Sequence, residues 1–360
     1  MKKAYLALAD GTVFEGKSLG ATGTVIGEIV FTTGMTGYIE TLTDPSFAGQ
    51  MVVMTYPVIG NSGVNREDCE SDKVQVKAVI MKECATHPNN FRSQETLESY
   101  LISENVIAIT GIDTRALTKI IRTNGAMNGV ITTEEPFCFE NYAEAIQSYK
   151  VGAMVEQVTC EKAYTVGEGD ISVALLDFGI KRSTIASLTS RGAKVTVYPA
   201  MTKAQDILST HPNGIMVAGG PGDPEECMTM LPEIKSLMTS GKPFFGVGLG
   251  HQLAALAMGG KTEKLKFGHR GANQPVKDLA CDKTFVTLQN HGYAVTENSL
   301  GAHVAQVSHI NVNDQTMEGI RYVDIPAVTV QFDPESKPGA KNETYILDEF
   351  VNKMGGNHNA

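Results

Sequence analysis

Pro243-Phe244-Phe245-Gly246-Val247, followed at once by Gly248-Leu249-Gly250-His251-Gln252 and then Leu253–Met258, is the passage on which the fold turns. A run that reads as a buried strand passes through a glycine-dense turn straight into a helix, with no polar alternation along the strand. A strand apolar on both faces belongs to a sheet covered by helices on both sides. The same pattern recurs around it. Ser172–Leu176, Val195–Tyr198, Gly214–Val217, Phe285–Leu288 and Ala327–Phe332 read as strands, with helices predicted up to Arg191 and from His251. From Ile171 onward the chain is therefore predicted to be α/β, a doubly wound, mainly parallel sheet. Ligand-binding residues in such sheets are expected beyond the carboxyl ends of the strands.

Upstream the pattern changes. Ala4–Ala9, a turn at Asp10-Gly11, Val25–Phe31 and Met51–Tyr56 ending at Pro57 read as short strands. A helix is predicted from Asp113-Thr114-Arg115, with Asp113 as its N-cap, an apolar stripe of Leu117, Ile120 and Ile121, and Gly125 at its end. Residues 1–150 thus read as a mixed β/α domain. The stretch 151–169, with Gly167-Glu168-Gly169-Asp170 at its end, loses periodicity and reads as a linker, leaving 170–356 as the second domain.

The 360 residues are enough for two domains, each with its own core, and 42% hydrophobic with 19% charged residues is a globular balance. A formal charge of −10 and a pI near 5.3 argue against a nucleic-acid or anionic-membrane surface. Cys69, Cys84, Cys138, Cys160, Cys227 and Cys281 are scattered, with no C-x-x-C and no cysteine–histidine spacing typical of a metal site. Free thiols and no metal are the expectation. The apolar run Ala4–Ala9 stops at Asp10-Gly11, too short for a signal peptide, and no stretch is long enough to span a bilayer. A soluble, cytoplasmic protein is expected.

Three strand ends carry candidate chemistry. Gly219-Gly220-Pro221-Gly222-Asp223-Pro224 is either an ordinary tight connection or a loop whose bare amides approach a ligand. Gly248 stands where a nucleophile elbow would hold a side chain above the sheet, and the Leu249 amide would help form an oxyanion hole at the helix start. The bland alternative is a glycine-rich turn without chemistry. Asp333-Pro334-Glu335, after the last strand, is where a base and its orienting carboxylate could stand, or a strand ending in a proline turn.

Taken together and in this order, these motifs resemble the class I glutamine amidotransferases, whose pattern is G-P-G-D-P, then F-G-I-C-L-G-H-Q, then H-P-E. In the first half, Gly34-Met35-Thr36-Gly37-Tyr38, Leu42-Thr43-Asp44-Pro45-Ser46, Thr55-Tyr56-Pro57, Ile59-Gly60-Asn61, Asn90-Phe91-Arg92 and Ile112-Asp113-Thr114-Arg115 are similar to the N-terminal domain of carbamoyl phosphate synthetase small subunits. Lys266-Phe267-Gly268-His269-Arg270-Gly271 and Gln289-Asn290-His291-Gly292-Tyr293 look like the same subunit. The resemblance spans about residues 4–354.

It implies a subunit that hydrolyses L-glutamine and channels ammonia to a large subunit. That partner uses ATP, Mg and bicarbonate to make carbamoyl phosphate for arginine or pyrimidine synthesis. No cofactor is implied in this chain itself. The glutamine pocket would comprise Ser46, Gly220, Gly222, Leu249, Gln252, Asn290, Gly292 and Tyr293. Tyr293 stands where phenylalanine is common, and Gly219 where asparagine is. The catalytic residues depart from the pattern. Gly248 occupies the cysteine position and Asp333 the histidine position, leaving only the orienting Glu335. Glycine supplies no nucleophile, and an aspartate carboxyl, ordinarily titrating near pH ~4, cannot return a proton to leaving ammonia at neutral pH. Neither Cys227 nor Cys281 lies on an elbow, and His251 is present in the family alongside the base, which points to a structural role.

The resemblance therefore implies a scaffold and ammonia-tunnel subunit of an ammonia-dependent complex. The alternatives are a glutamine-binding sensor without hydrolysis or, if Gly248 and Asp333 are engineered substitutions, an active glutaminase. The neighbouring carboxylates of Asp333 and Glu335 are further expected to favour a small cation such as ammonium.

Overall fold

In the computed structural model, which describes residues 2–335 and 345–355, the N-terminal half curls into a closed barrel. Contacts divide the chain into two units, Met1–Gly152 with Lys266–Gly271, and Ala153–Leu265 with Ala272–Ala360. Residue 356, the expected end of the second domain, lies outside the described residues.

The first unit contains strands β1 (Lys3–Leu8), β2 (Val13–Gly20), β3 (Thr24–Thr32), β4 (Gln50–Met54), β5 (Val58–Ile59), β6 (Ala78–Ile80), β7 (Glu83–Cys84), β8 (Ile107–Thr110) and β9 (Met127–Thr132). Its helices are α1 (Tyr38–Thr43), α2 (Leu97–Ser103), α3 (Thr114–Asn124) and α4 (Glu140–Ser148). The barrel runs β1-β2-β8-β6-β4-β3-β9 and closes β9 onto β1, while β5 and β7 form a separate pair. Helix α3 begins as its sequence demands. The Asp113 carboxylate accepts from the Ala116 amide at 2.9 Å, and Gly125 ends the helix at φ 101°. Its Leu117 and Ile121 join Leu6, Ile29, Val53 and Ile80 in one apolar cluster. Each such side chain contributes roughly 1.5–3 kcal/mol by leaving water.

The second unit contains α5 (Val155–Val158), β10 (Tyr164–Val166), β11 (Ile171–Asp177), α6 (Arg182–Thr189), β12 (Ala193–Pro199), α7 (Ala204–Ser209), β13 (Gly214–Val217), α8 (Leu231–Met238), β14 (Phe244–Val247) and α9 (Leu249–Ala257). It continues with β15 (Thr262–Asp278, of which Lys266–Gly271 belongs to the first unit), β16 (Lys283–Val295), β17 (Ala305–Asn311), β18 (Met317–Tyr322), β19 (Ala327–Val330) and α10 (Tyr345–Lys353). The sheet order is β10-β12-β11-β13-β14-β19-β18-β16-β15-β17. Strands β12, β11, β13, β14 and β19 form the parallel core. Successive residues of a strand point to opposite faces. Leu176, Val217 and Phe244 accordingly pack in one apolar layer with Leu237 and Leu253. Leu175, Met216 and Phe245 pack in the other with Leu188 and Phe350. Both layers are helix-covered, which is why these strands show no polar alternation.

Two features differ from the sequence reading. Beyond β19 the sheet continues through antiparallel β18, and β17 is antiparallel to β18 and β15. The stretch 151–169 is not wholly a linker. Val155 of α5 is buried in the core, and β10 pairs antiparallel with β12, Thr165 opposite Thr196. All three β10 residues are exposed, so this edge strand has no apolar pattern to betray it. Among the described residues no helix is long and apolar enough to cross a membrane.

Candidate active site

The turn after β14 is the centre of the site. Gly248 is the N-cap of α9 with φ 55° and ψ −113°, and its amide donates to Val330 O of the adjacent strand at 2.9 Å. Positive φ strains any other residue, so glycine removes a local cost of about 1 kcal/mol or more. Space is a different matter. A Cβ at 248 would lie 3.3 Å from Gly219 Cα and 3.9 Å from Gln331 O, so a side chain fits if Gly219 gives slightly. Gly250 has no such latitude, because a Cβ there would sit 2.3 Å from Val217 O. That close approach, with the Gly250 amide donating to Ala218 O at 3.1 Å, presses the first turn of α9 onto the end of β13. Leu249, the first helical residue, is buried, with its amide at the positive end of the helix.

The predicted pocket residues divide between the units. Ser46 lies in the first unit, in a short 3-10 turn at Pro45–Phe47, where its hydroxyl and amide both bond the Asp44 carboxylate, at 2.7 and 2.8 Å. The others lie in the second. Gly220 packs under Leu249, where a Cβ would come within 3.0 Å of Cδ2. Gly222 takes φ 88° in the turn that leads to Asp223, which caps the next 3-10 segment through the Glu225 amide at 2.9 Å. Asn290, Gly292 and Tyr293 lie on β16. Gln252 Nε2 donates to Tyr293 O at 2.8 Å and to Gln331 Oε1 at 2.9 Å, which ties α9 to β16 and to the residue after β19. His251 is fully buried, with Nδ1 2.8 Å from Thr329 Oγ1, and burial, reinforced by His309, pushes its pKa down to about 3. It is a neutral packing element of the helix.

At the end of β19, Asp333 and Glu335 converge on one cation. Lys181 Nζ lies 2.7 Å from Asp333 Oδ2 and 3.0 Å from Glu335 Oε1, and Thr184 donates to the same Glu335 oxygen at 2.6 Å. The Glu335 side chain is 1% exposed, that of Lys181 10% and that of Asp333 18%. The expectation that these carboxylates would favour free ammonium is corrected here, since the lysine ammonium already occupies that place. Glu335 Oε2 is buried and has no hydrogen-bond partner among the described residues. Cys227 is buried with its thiol pushed up to about 11, chiefly by burial, and Cys281 is exposed; neither sits on the α9 turn.

Residues 6–131 match the family model described as carbamoyl-phosphate synthase small chain, CPSase domain, and residues 174–353 match glutamine amidotransferase class-I. A carbamoyl phosphate synthase small chain of Staphylococcus epidermidis is 45% identical over 98% of this chain and 96% of its own length. Small chains of Clostridium perfringens and Syntrophotalea carbinolica are each 46% identical, over 97% and 99% of this chain and 99% and 98% of theirs. The chain belongs to the carbamoyl phosphate synthase small chain family.

Within this small chain, sequence reasoning missed Lys181 and Gln331. Lys181 lies four residues beyond the carboxyl end of β11, at the N-cap of α6, a fourth strand end, and a lysine in the turn after a buried strand is the available signal. Gln331 stands inside the Ala327–Phe332 run, which reads as strand. A glutamine among apolar neighbours is itself a cue, since a buried amide requires partners.

Proposed function

We propose that this small chain no longer hydrolyses glutamine. It serves instead as scaffold and tunnel wall of an ammonia-dependent carbamoyl phosphate synthase, with a large subunit that carries ATP and Mg. The observation that carries the reading is Gly248: the turn between β14 and α9 keeps the backbone that would raise a nucleophile, yet has no side chain. By resemblance, 248 is the cysteine position and 333 the histidine position. Hydrolysis through an acyl-enzyme needs a thiolate to attack the carboxamide carbon and a base to carry the thiol proton to the leaving ammonia. Neither function has a residue. Asp333 is engaged with Lys181. Glu335 Oε2 is left buried without a hydrogen-bond partner among the described residues.

Ammonia delivered to the large subunit would then support carbamoyl phosphate formation for arginine or pyrimidine synthesis. A second reading, a glutamine sensor without hydrolysis, is supported by the intact clamp of Gln252 on Tyr293 and Gln331. Glutamine binding to the isolated chain is required by the sensor and not by the scaffold. The primary test is reconstitution with the large subunit. Carbamoyl phosphate is expected to form with ammonium chloride and not with glutamine; glutamine-supported synthesis would sink the proposal.

A further inference from the structure

The two most exposed large apolar side chains among the described residues both lie in the first unit, Phe91 at 97% and Met35 at 73% exposure. Scattered surface apolar groups need no explanation, but Phe91 is held out rather than left loose. Its turn is pinned by several bonds. The Ser93 amide donates to Asn90 O at 3.0 Å and the Arg92 amide to Asn90 Oδ1 at 2.9 Å. The flanking amides of Asn89 and Gln94 donate to Asn61 O and Val64 O, each at 2.9 Å. Arg92 Nη2 lies 2.7 Å from Asp68 Oδ1, and Gly63 makes room for Ser93, whose Oγ would be 1.9 Å from a Cβ there. Asn90-Phe91-Arg92 is one of the motifs by which the first unit resembles the small-subunit domain, yet the fold makes almost no use of its ring. A rigid turn that presents an aromatic ring to solvent is preorganised to fill a partner's pocket.

Charge decides the kind of partner. Arg92 is shared between Asp68 and Glu67, at 2.7 and 3.5 Å. Glu40 belongs to the same cluster: burial above all, together with the charges of Asp68 and Glu70, pushes its carboxyl up, against the pull of Arg92. Around this turn Glu40, Glu67, Asp68 and Glu70 thus outnumber the Arg92 guanidinium. A second copy of this chain, at a formal charge of −10 and bringing the same carboxylates across a two-fold axis, would meet like charge. We propose that Phe91 is a docking anchor for the large subunit, filling an apolar pocket there that is rimmed by lysine or arginine. The inference rests on the proposed large-subunit partner and adds to it the residue by which the small chain grips that partner.

The test is calorimetric titration of the large subunit with the full chain, comparing wild type with Phe91→Ala and Glu67→Lys. Phe91→Ala is expected to raise Kd at least about tenfold. Its urea midpoint is expected to stay at the wild-type value, since so exposed a ring contributes almost no burial to the fold. Glu67→Lys, at a side chain 78% exposed, is expected to raise Kd about threefold in dilute salt, with the difference gone at about 0.5 M. Tighter binding by Glu67→Lys would mean an acidic rim and overturn the stated chemistry of the pocket. Wild-type binding with an unchanged Kd in Phe91→Ala would overturn the anchor and leave the scaffold reading standing; no binding by the wild type would defeat both. Sedimentation of the chain alone gives the last check. A dimer that Phe91→Ala dissociates would assign the ring to a second copy and refute its assignment to the large subunit.

Discussion

The two ends of the site are held by different kinds of force. Around Gln252 the partners are neutral, the Tyr293 carbonyl and the Gln331 amide oxygen, and the helix is pinned by backbone contact at Gly250. Around Lys181 the partners are carboxylates, with Glu335 almost fully buried. Neutral hydrogen bonds of this kind fix a shape without reference to what stands at 248. A charged residue at 333 is another matter. Next to buried Glu335 it would place like charges together, a costly arrangement unless a cation is at hand. Lys181 supplies that cation. Position 333 therefore tolerates aspartate because of a residue on a different strand end.

The sharpest way to break this contrast is to install the cysteine and histidine of the family pattern at 248 and 333. Gly248→Cys with Asp333→His is expected to yield glutamate from glutamine on the order of 10³-fold above the parent chain, still short of full activity because the elbow must absorb a contact 3.3 Å from Gly219. Gly248→Cys alone, lacking a base, is expected to give far less. If the double variant folds, reacts with a thiol reagent and still releases no glutamate, the proposed glutamine pocket is not intact. The next largest effect is at the charged end. Lys181→Met leaves both carboxylates without their ammonium and is expected to cost about 3 kcal/mol in urea unfolding, with much of that loss recovered in Lys181→Met/Asp333→Asn. Equal losses in the single and double variants would mean the ion pair is incidental.

The contrast also explains what the sequence could disclose. Strands such as Gly214–Val217 and the N-cap Asp113 were legible because burial on both faces and local capping leave marks within a few residues. The elbow at Gly248 was legible for the same reason, as a strand, a glycine turn and a helix in succession. Lys181 meeting Asp333 was not, because the pairing joins distant parts of the chain and periodicity reports burial rather than partners. The three-residue β10 and the antiparallel strands β18, β17 and β15 escaped for the converse reason. An edge strand exposed on both faces has no period to read, and long partly exposed strands do not reveal their direction.

The smallest effect lies on the neutral side. His251 is buried and uncharged, its pKa pushed down to about 3 by burial and by His309, against an ordinary unfolded value near 6.5. The unfolded chain therefore binds a proton at His251 that the folded chain refuses. Its contribution is fully present above about pH 6.5 and is lost as pH falls toward the folded value, by about 1.4 kcal/mol per pH unit between those limits. His309, pushed down to about 4, adds a second proton to the same limb. His251→Asn, which keeps a polar atom for Thr329, is expected to be less stable than wild type at pH 7.5 but to lose stability more slowly between pH 6 and 4. The two curves should converge by about one proton's slope. Parallel curves would mean that His251 takes up its proton in the folded protein as readily as in the unfolded one, and α9 would then carry a buried charge at acid pH.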